Sequence, residues 1–361
     1  MNEREAMHRA IDLAWGGWGA VHPNPLVGAV VLSRGQPVGE GFHRRYGDVH
    51  AEVAALDNAG EGARDGTMVV TLEPCNHHGQ QPPCTEAILA AGLSRLVYAV
   101  DDPNPVALGG AGLLRASGVE VIPGLMAQQA ALQNASFLGR HRNTERPWIA
   151  LKLATSVDGR IADRDGRSSW ISGEEARAWV HWLRAGFDAI AVGAGTVRAD
   201  DPLLTVRGSL TPRVPPTRIV FTRSGVVPSG SRVLATAHEV PTWVVAVGSG
   251  TPEKVESDAG GVTVVPADSL DQALKVLRER GVGTILVEGG GLLAGALLAR
   301  DLVDRFYWIQ SPLWLGQQGR PAYGKLPSPS LGKASRWLVA ERRALGQDTL
   351  LTMDRASCLP D

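Results

Sequence analysis

The sequence predicts an α/β protein that folds as two domains, and three observations lead to this prediction. The chain has 361 residues, which is more than one hydrophobic core usually organises. Short apolar segments with strand character alternate with segments of helical periodicity along nearly the whole chain. Hydrophobic residues make up 44% and charged residues 20% of the sequence, the ordinary balance of a globular protein.

The first domain is predicted from segments in which helices and strands follow one another. Glycines end several helical segments, and Ser33-Arg34-Gly35 forms a turn signal between two strands. This alternation predicts three layers around a largely parallel sheet. The segments, in order, are the helix REAMHRAIDLAWGG, the strands LVGAVVL and QPVGEGF, the helix HAEVAALDNAG, the strand TMVVTL, the helix CTEAILAAG, the strand RLVYAV, the helix ALGGAGLLRASG and the strand GVEVI.

A polar, charged stretch, GRHRNTERP, lacks apolar periodicity and separates the two domains. We place the boundary after residue 145, which gives domains of residues 1–145 and 146–361. The second domain is also predicted to be α/β, because strand and helix patterns again alternate. Its segments, in order, are the strand PWIALKLA, the helix GEEARAWVHWLRAG, the strands FDAIAVG, TRIVF and TWVVAV, the helix LDQALKVLRERG, the strand GTILVEGGG, the helix LLAGALLAR and the strand VDRFYWI.

Charge and hydropathy argue against several classes of function. The net charge is -1, with 36 basic and 37 acidic residues and no long basic block, so a dedicated nucleic-acid binder is not expected. No apolar run reaches about 18 residues, so no membrane span is expected. The amino terminus, MNEREAMHRA, lacks the apolar core of a signal peptide. We therefore expect a cytoplasmic enzyme, and we expect a homo-oligomer whose subunit number the sequence does not show.

The sequence has three cysteines, Cys75, Cys84 and Cys358. An odd, low count without a signal peptide disfavours a disulfide framework, so we expect Cys75 and Cys84 to be reduced. Cys358 lies in the polar tail ASCLPD and is interpreted as incidental.

One histidine and two cysteines have the pattern of a catalytic zinc site. His50 and Glu52 form an H-x-E pattern, Cys75 follows Pro74, and Cys84 comes after residues 76–83. His50 and Cys84 begin predicted helices and Cys75 follows a predicted strand, so all three are expected at one edge of an α/β sheet. Three protein ligands leave a fourth position of zinc for water, whose pKa the metal lowers to about 7. Glu52 would then carry protons, as in zinc deaminases.

Each of these residues also has a simpler interpretation. His50 could cap a helix, Glu52 could face the helix dipole, and Cys75 could be a small buried hydrophobe. His77 and His78 could be exposed or could replace Cys84 as a ligand. The usual deaminase signature, P-C-x-x-C, has a much shorter gap. The combined order of the residues nevertheless favours a zinc site.

Motifs along nearly the whole chain resemble those of the bifunctional deaminase-reductase family of riboflavin biosynthesis. HPNPLVGAVV, HAEVAAL, VTLEPCNHHG and PPC resemble its deaminase half, whose cysteines are separated by this longer loop. LKLATSVDGRIA, SSWISG, TVRADDPLLTVR and VEGGGLLAGALL resemble its reductase half, in the same order. The resemblance implies a cytidine-deaminase-like three-layer domain followed by a dihydrofolate-reductase-like domain.

The resemblance also implies two reactions and the residues that serve the first. The family deaminates 2,5-diamino-6-ribosylamino-4(3H)-pyrimidinone 5′-phosphate and then uses NADPH to reduce the ribosyl group to ribityl. Carried over, His50, Cys75 and Cys84 would bind one Zn²⁺ per chain, and Glu52 would be the proton shuttle. The remaining candidates are Asn24, which would contact the sugar or base, and His43.

The loop between the cysteines departs from the family pattern. Related chains commonly have Ser after the first Cys and Arg-Thr before the prolines, whereas this chain has Asn76, Gln80 and Gln81. The loss of that arginine puts one phosphate contact in doubt. The sequence does not show the role of Asn76, Gln80 and Gln81.

Two glycine-containing turns of the second domain are candidates for binding NADPH. FDAIAVGAGTV and TILVEGGGLLAGALL each place glycines after a strand, where backbone amides can approach a pyrophosphate. Neither is a clean G-x-G-x-x-G, and tight strand–helix packing is the alternative. With the resemblance they favour NADPH in a non-Rossmann site. The positions that look like cofactor contacts are Ala154, Trp170, Thr196, Asp200, Gly290, Gly291, Leu292, Leu293, Ala294, Gly295 and Ala296, and Arg223 is added as a contact of the 2′-phosphate.

The same motifs supply candidates for the reductase substrate. Arg184 and Arg207 could clamp its 5′-phosphate bidentately, or they could be solvated charges. Lys152 and Glu288 are the ionisable groups nearest the expected chemistry, and Lys152 or water could supply the proton. The full set of candidates is Lys152, Ser168, Arg184, Leu204, Arg207 and Glu288.

Two other functions remain to be compared with this interpretation. A zinc deaminase of nucleosides or tRNA could carry a non-catalytic second domain, although tRNA would call for a basic surface. A non-catalytic zinc scaffold would leave Glu52 unexplained, because a structural site fills all four positions with protein ligands.

Overall fold

The computed structural model describes residues 1–169, 171–248, 260–324, 326–327 and 329–355. The chain divides into two compact units, of which the first is Met1–Arg142 and the second begins at Asn143. This division lies a few residues before the boundary proposed from the sequence. The described residues include no helix that is both long and apolar enough to cross a membrane.

The first unit contains a single sheet in its described part, with strand order β2-β1-β3-β4-β5. Every helix and strand proposed for it from the sequence is present, and two further helices follow β5. Its strands are β1 (Gly28–Ser33), β2 (Gln36–Phe42), β3 (Thr67–Leu72), β4 (Arg95–Val100) and β5 (Glu120–Pro123), and its helices are α1 (Glu3–Ala14), α2 (Ala51–Ala59), α3 (Cys84–Ala90), α4 (Gly110–Ala116), α5 (Ala127–Gln133) and α6 (Ala135–Arg142).

The expectation of a largely parallel sheet is wrong for the first strands of this unit. β1 pairs antiparallel with both β2 and β3, whereas β3, β4 and β5 are mutually parallel. The physical reason lies at Arg34 and Gly35, whose φ angles are 49° and 75°. Two consecutive residues of positive φ make the tight turn that joins antiparallel strands.

The helix α2 lies directly on the backbone of β2. Two glycines of β2 make this approach possible, because a Cβ at Gly39 would overlap the carbonyl oxygen of Ala55. A Cβ at Gly41 would overlap the backbone of both Ala51 and Ala55. The position of the first turn of α2 is therefore fixed by backbone packing.

The second unit is built on one large sheet with strand order β11-β10-β9-β8-β12-β6-β13-β16-β15 among its described residues. The strands are β6 (Trp148–Ser156), β7 (Arg160–Ala162), β8 (Ala189–Gly193), β9 (Thr217–Thr222), β10 (Thr242–Val247), β11 (Val262–Ala267), β12 (Thr284–Glu288), β13 (Arg305–Ser311), β14 (Arg320–Pro321), β15 (Trp337–Leu345) and β16 (Asp348–Arg355). The helices are α7 (Glu174–Arg184), α8 (Ala194–Asp200), α9 (Arg232–Ala235), α10 (Leu270–Glu279) and α11 (Gly291–Leu298).

This large sheet is parallel from β11 to β13 and ends in an antiparallel hairpin. β13 pairs antiparallel with β16, and β16 with β15. The proposed strands and helices are present, but the sequence interpretation missed the short elements β7, α8, α9 and β14, the strand β11, and the hairpin of β15 and β16. β15 is an edge strand whose run Glu341-Arg342-Arg343 is charged, as edge strands often are, and this hides its apolar pattern.

Candidate functional sites

The three proposed zinc ligands lie together at one edge of the first sheet. His50 occupies the position directly before α2, Cys75 follows β3, and Cys84 is the first residue of α3. Their ligand atoms all lie within 4.8 Å of one another. His50 Nδ1 is 3.2 Å from Cys84 Sγ and 3.5 Å from Cys75 Sγ. The three side chains therefore come together because the two helices begin, and the strand ends, at the same edge of the sheet.

The geometry and chemistry of this group fit zinc. A tetrahedral zinc with bonds of about 2.0 Å to nitrogen and 2.3 Å to sulfur separates its ligand atoms by about 3.5 Å. Both cysteines are free and buried. A hydrogen bond with the Cys84 thiol lowers the pKa of Cys75 to about 4, which favours the thiolate that a metal binds.

Glu52 lies in the first turn of α2, two residues after His50, and is only 4% exposed. Its burial raises the pKa of the carboxyl. The side chain lines the same cavity as His50 and Cys75. A carboxyl in this position can exchange protons with a molecule held beside the three metal-binding residues.

The cavity beside this group has a volume of about 510 Å³ and is lined by residues of the first unit alone. Asn24 and His43 are both in its wall, and Asn24 Nδ2 is 3.5 Å from His43 Nε2. His43 Nδ1 is 3.2 Å from the Val49 carbonyl oxygen, and burial lowers the pKa of this imidazole. The His43 ring meets the His50 ring edge-on at 5.4 Å. The structure thus brings both proposed pyrimidine contacts to the zinc pocket.

Three polar residues of this cavity were missed from the sequence. Glu73 accepts hydrogen bonds from the backbone N–H groups of Gly109 and Ala111, at 3.2 and 3.0 Å. Asp102 and Asn104 follow β4 and also line the cavity, and burial raises the pKa of Asp102 to about 6. The signal was present, since polar residues directly after neighbouring parallel strands share an edge of the sheet.

The two histidines of the loop between the cysteines, His77 and His78, do not replace Cys84 in the metal-binding group. His78 is exposed and pairs with Glu86 at 3.2 Å. His77 lines the cavity but lies outside the metal-binding group found in the described residues. Asn76 accepts a hydrogen bond from Thr85 Oγ1 at 3.1 Å. The loop therefore closes one side of the cavity.

In the second unit, two residues distant in sequence form a buried ion pair. Arg184, at the end of α7, donates from Nε and Nη2 to the two carboxylate oxygens of Glu288, at 2.6 and 2.9 Å. Burial alone would raise the pKa of Glu288, but the Arg184 guanidinium lowers it below its usual value. Lys152 is the register partner of Glu288 across β6 and β12, and burial lowers the pKa of its ammonium.

This ion pair changes the expected role of Arg184. Its bidentate face is occupied by Glu288, and its Nη1 donates to the Thr205 carbonyl oxygen at 2.8 Å. It therefore does not offer the phosphate clamp that the sequence suggested. Arg207 is exposed on the same loop and stays a predicted phosphate contact.

The loop that carries Leu204 and Arg207 is held by a buried arginine that the sequence interpretation did not single out. Arg218 is 0% exposed, and its guanidinium donates to the carbonyl oxygens of Leu203, Thr236 and Val240 at 2.9 to 3.2 Å. Leu204 itself is buried with a φ angle of 51°. These carbonyl oxygens satisfy the hydrogen-bond donors of the buried guanidinium, although none of them belongs to a carboxylate.

The proposed cofactor residues lie on several helices, strands and loops of the second unit. Gly290 precedes α11 with a φ angle of 80°, and a Cβ there would lie 2.8 Å from Thr196 Oγ1, so only glycine fits easily. Ser168 Oγ donates to Asp200, and both line a cavity of about 700 Å³. The remaining positions are Ala154 in β6, the exposed Arg223 just after β9, and Gly291, Leu292, Leu293, Ala294, Gly295 and Ala296 in α11. Trp170 and Cys358 lie outside the described residues.

Two family descriptions match the chain in the order of its units. Residues 1–100 match the cytidine and deoxycytidylate deaminase zinc-binding region. Residues 147–351 match the RibD C-terminal domain. These matches, with the fold and the His-Cys-Cys group, define a two-domain enzyme that joins a zinc-dependent deaminase domain to a reductase domain.

Relatives align with most of the chain. The riboflavin biosynthesis protein RibD of Escherichia coli (strain K12) is 39% identical over 97% of this chain and 99% of its own length. That of Bacillus amyloliquefaciens is 40% identical over 87% of this chain and 85% of its own. The chain belongs to the RibD family, the bifunctional deaminase-reductases of riboflavin biosynthesis.

Solved structures of relatives have the same fold over both units. Acinetobacter baumannii RibD aligns with a TM-score of 0.84 and 34% identity, covering 98% of each chain. A diaminohydroxyphosphoribosylaminopyrimidine deaminase/5-amino-6-(5-phosphoribosylamino)uracil reductase from Thermotoga maritima also aligns with a TM-score of 0.84, at 35% identity, covering 98% of this chain and 99% of that one. The fold predicted from the sequence is confirmed, and a nucleoside or tRNA deaminase with an unrelated second domain is disfavoured.

Proposed function

We propose that this chain deaminates 2,5-diamino-6-ribosylamino-4(3H)-pyrimidinone 5′-phosphate and then reduces the ribosyl group of the product with NADPH. The observation that carries the proposal is the buried group of His50, Cys75 and Cys84 beside a cavity that also contains Glu52. A structural zinc site would fill all four positions with protein ligands, and it would give the adjacent Glu52 carboxyl no role. One open side next to a proton carrier supports catalysis.

In the first reaction, this chain's residues hold the pyrimidine and move protons. Zinc, when bound by His50, Cys75 and Cys84, supplies a water whose pKa is about 7. Glu52 takes a first proton from that water at its carboxylate oxygen and passes it to the ring nitrogen. It then takes the second proton, from the hydroxyl group formed on the ring carbon, and passes it to the amino group, which leaves as ammonia when the C–N bond breaks. Asn24 Nδ2, in the wall of the same cavity, would donate to the sugar or base.

In the second reaction, the residues of the second unit orient the sugar and the cofactor. Thr196, Gly290 and the start of α11 would hold the pyrophosphate of NADPH, because the glycines let backbone amides approach it. When bound, NADPH supplies hydride for C1′ of the opened sugar imine. Lys152 Nζ would supply the accompanying proton, since its lowered pKa lets it exchange protons more readily. Normal turnover in Lys152→Met would remove the lysine from this role.

A direct test measures zinc, ammonia and NADPH in the same preparation. We expect one zinc per chain, ammonia released from the phosphorylated pyrimidine, and NADPH oxidised only after that step. Removal of zinc with a chelator should abolish ammonia release while leaving reduction of the pre-deaminated pyrimidine intact. Bound zinc without ammonia from any pyrimidine would instead support the scaffold interpretation.

The organisation of the protein is part of the proposal. Fragments 1–145 and 146–361, assayed separately, test whether each domain supports its own reaction. We also propose a homo-oligomer in the cytoplasm, with a small phosphorylated pyrimidine as its partner. Light scattering of the purified chain measures the subunit number, and a monomer would contradict that part.

A further inference from the structure

The zinc cavity is rich in carboxyl groups, although its proposed substrate carries a phosphate. Asp48, Glu52, Glu73 and Asp102 all line it. A phosphate monoester adds about −1.5 to −2 charges at pH 7. Binding such an anion among four carboxyl groups requires a cation that faces the far end of the substrate.

The loop between the zinc-binding cysteines does not provide that cation. It contributes His77, Gly79, Gln80 and Gln81 to the cavity wall, and none of these is a lysine or an arginine. The Gln81 amide is already engaged, because its Nε2 donates to the Gly47 carbonyl oxygen at 3.0 Å. The loop therefore supplies no permanently charged cation to the cavity.

A cationic side chain lines the cavity from the end of α6. Phe137, Arg140 and His141 line the cavity, and Arg140 is the one arginine or lysine among its described lining residues. Arg140 is half-buried, so its charge acts through less water than that of a surface arginine. His141 packs on the Phe137 ring at 4.7 Å, which helps to fix this end of the helix.

The start of α6 is anchored to the segment that holds the proposed pyrimidine contact. Asn134, directly before α6, accepts from the Leu26 N–H and donates to the Leu26 carbonyl oxygen, both at 2.8 Å. This reciprocal pair is buried and lies two residues from Asn24. The helix bearing Arg140 and the segment bearing Asn24 are thus held in a fixed relation.

We propose that Arg140 binds the 5′-phosphate of the pyrimidine in the deaminase cavity. The guanidinium would form paired hydrogen bonds with two phosphate oxygens. The phosphate is held at the α6 side, and the ring extends towards Glu52 and the zinc-binding residues. This inference rests on the proposed deaminase function and assigns the residue that selects a phosphorylated substrate over its nucleoside.

The test compares ammonia release from the phosphorylated pyrimidine and from its dephosphorylated form. In Arg140→Met we expect kcat/KM for the phosphorylated form to fall roughly 10- to 100-fold, the range of a lost charged hydrogen bond, mainly through KM. The dephosphorylated form should be unaffected. Arg140→Lys should retain part of the preference, because a point charge remains.

A matched control and a binding probe separate this role from a structural one. Arg142→Met removes an exposed arginine of the same helix that does not line the cavity, and it should behave as the wild type. Ribose 5-phosphate should inhibit ammonia release competitively, with an inhibition constant raised roughly 10- to 100-fold in Arg140→Met alone. Zinc content should remain one per chain in every variant.

The outcomes distinguish the proposed role of Arg140 from the proposed deaminase function. If Arg140→Met keeps the wild-type preference for the phosphorylated substrate, or the wild-type inhibition constant, this inference is overturned and the deaminase function stands. If the zinc-loaded wild type releases ammonia from neither substrate, the proposed function itself fails.

Discussion

The two candidate sites reach electrical balance in different ways. The zinc pocket contains His50, Cys75 and Cys84, which lie within a short part of the chain. The negative charge of its thiolate would be balanced by a bound metal ion. The charged cluster of the second unit joins Arg184 and Glu288, 104 positions apart, and is neutral within the protein. The first site should therefore depend on its metal, and the second on the integrity of its fold.

The largest effect is expected when the proton carrier of the zinc pocket is removed. Glu52→Gln keeps the shape of the side chain but cannot move protons, so ammonia release should fall about 10²- to 10⁴-fold. Zinc content and NADPH-dependent reduction of supplied intermediate should not change. Glu61→Gln, an exposed neighbour, is the control. Full ammonia release by Glu52→Gln would remove it from the mechanism.

The next effect concerns stability in the second unit. Glu288→Gln leaves the buried Arg184 charge uncompensated, so the free energy of unfolding should fall by about 3–5 kcal/mol in urea titrations. The double variant Arg184→Met/Glu288→Leu should lie closer to the wild type, because neither member of the ion pair is left without the other. Glu341→Gln breaks an exposed pair and should cost less than about 1 kcal/mol. Equal losses in the Glu288 and Glu341 variants would contradict a self-neutralised cluster.

A smaller effect should appear in the pH dependence of that stability. Burial lowers the pKa of Lys152 in the folded state, so between that value and the unfolded value of about 10.4 the unfolded chain binds more protons. Wild-type stability should therefore rise with pH across this window relative to Lys152→Met. Urea titrations of both proteins at several pH values measure the difference. A constant difference at all pH values would indicate that Lys152 titrates normally.

The smallest effect is expected at the proposed 2′-phosphate contact of NADPH. Arg223 is exposed, so its charge is screened, and Arg223→Ala should raise KM for NADPH only about three- to tenfold. KM for NADH, which lacks the 2′-phosphate, should not change. Arg343→Ala, in the edge strand β15, is the control. An unchanged KM for NADPH would withdraw Arg223 as a contact.

The same contrast explains how much of the protein could be predicted from its sequence. The zinc ligands were predictable because His50 and Cys84 mark helix starts and Cys75 follows an apolar strand, which are local signals. The engagement of Arg184 by Glu288 was not, because no local pattern specifies which partner a charged side chain meets after folding. Arg140 was hidden for a similar reason, since α6 is short and its polar residues gave little periodicity.

The strand architecture shows a similar limit. Most apolar strands of both sheets were visible, whereas β11, β16 and the charged edge strand β15 were not. The antiparallel pairing of β1 with β2 follows from the turn at Arg34 and Gly35, and this turn was visible in the sequence. The prediction instead followed the general rule that chains with alternating strands and helices form parallel sheets. Local turn chemistry was the better guide at that position.

The contact between β2 and α2 has a consequence for mutational surveys of this enzyme. Gly39 and Gly41 let the helix that carries Glu52 pack directly on the backbone of the strand. No flexible side chain lies between helix and strand at these positions that could move aside for an added atom. A methyl group added at Gly41 must push the first turn of α2 and displace the proton carrier with it. In a survey scored by ammonia release, Gly41 should therefore look like an active-site residue, although it is absent from the cavity wall.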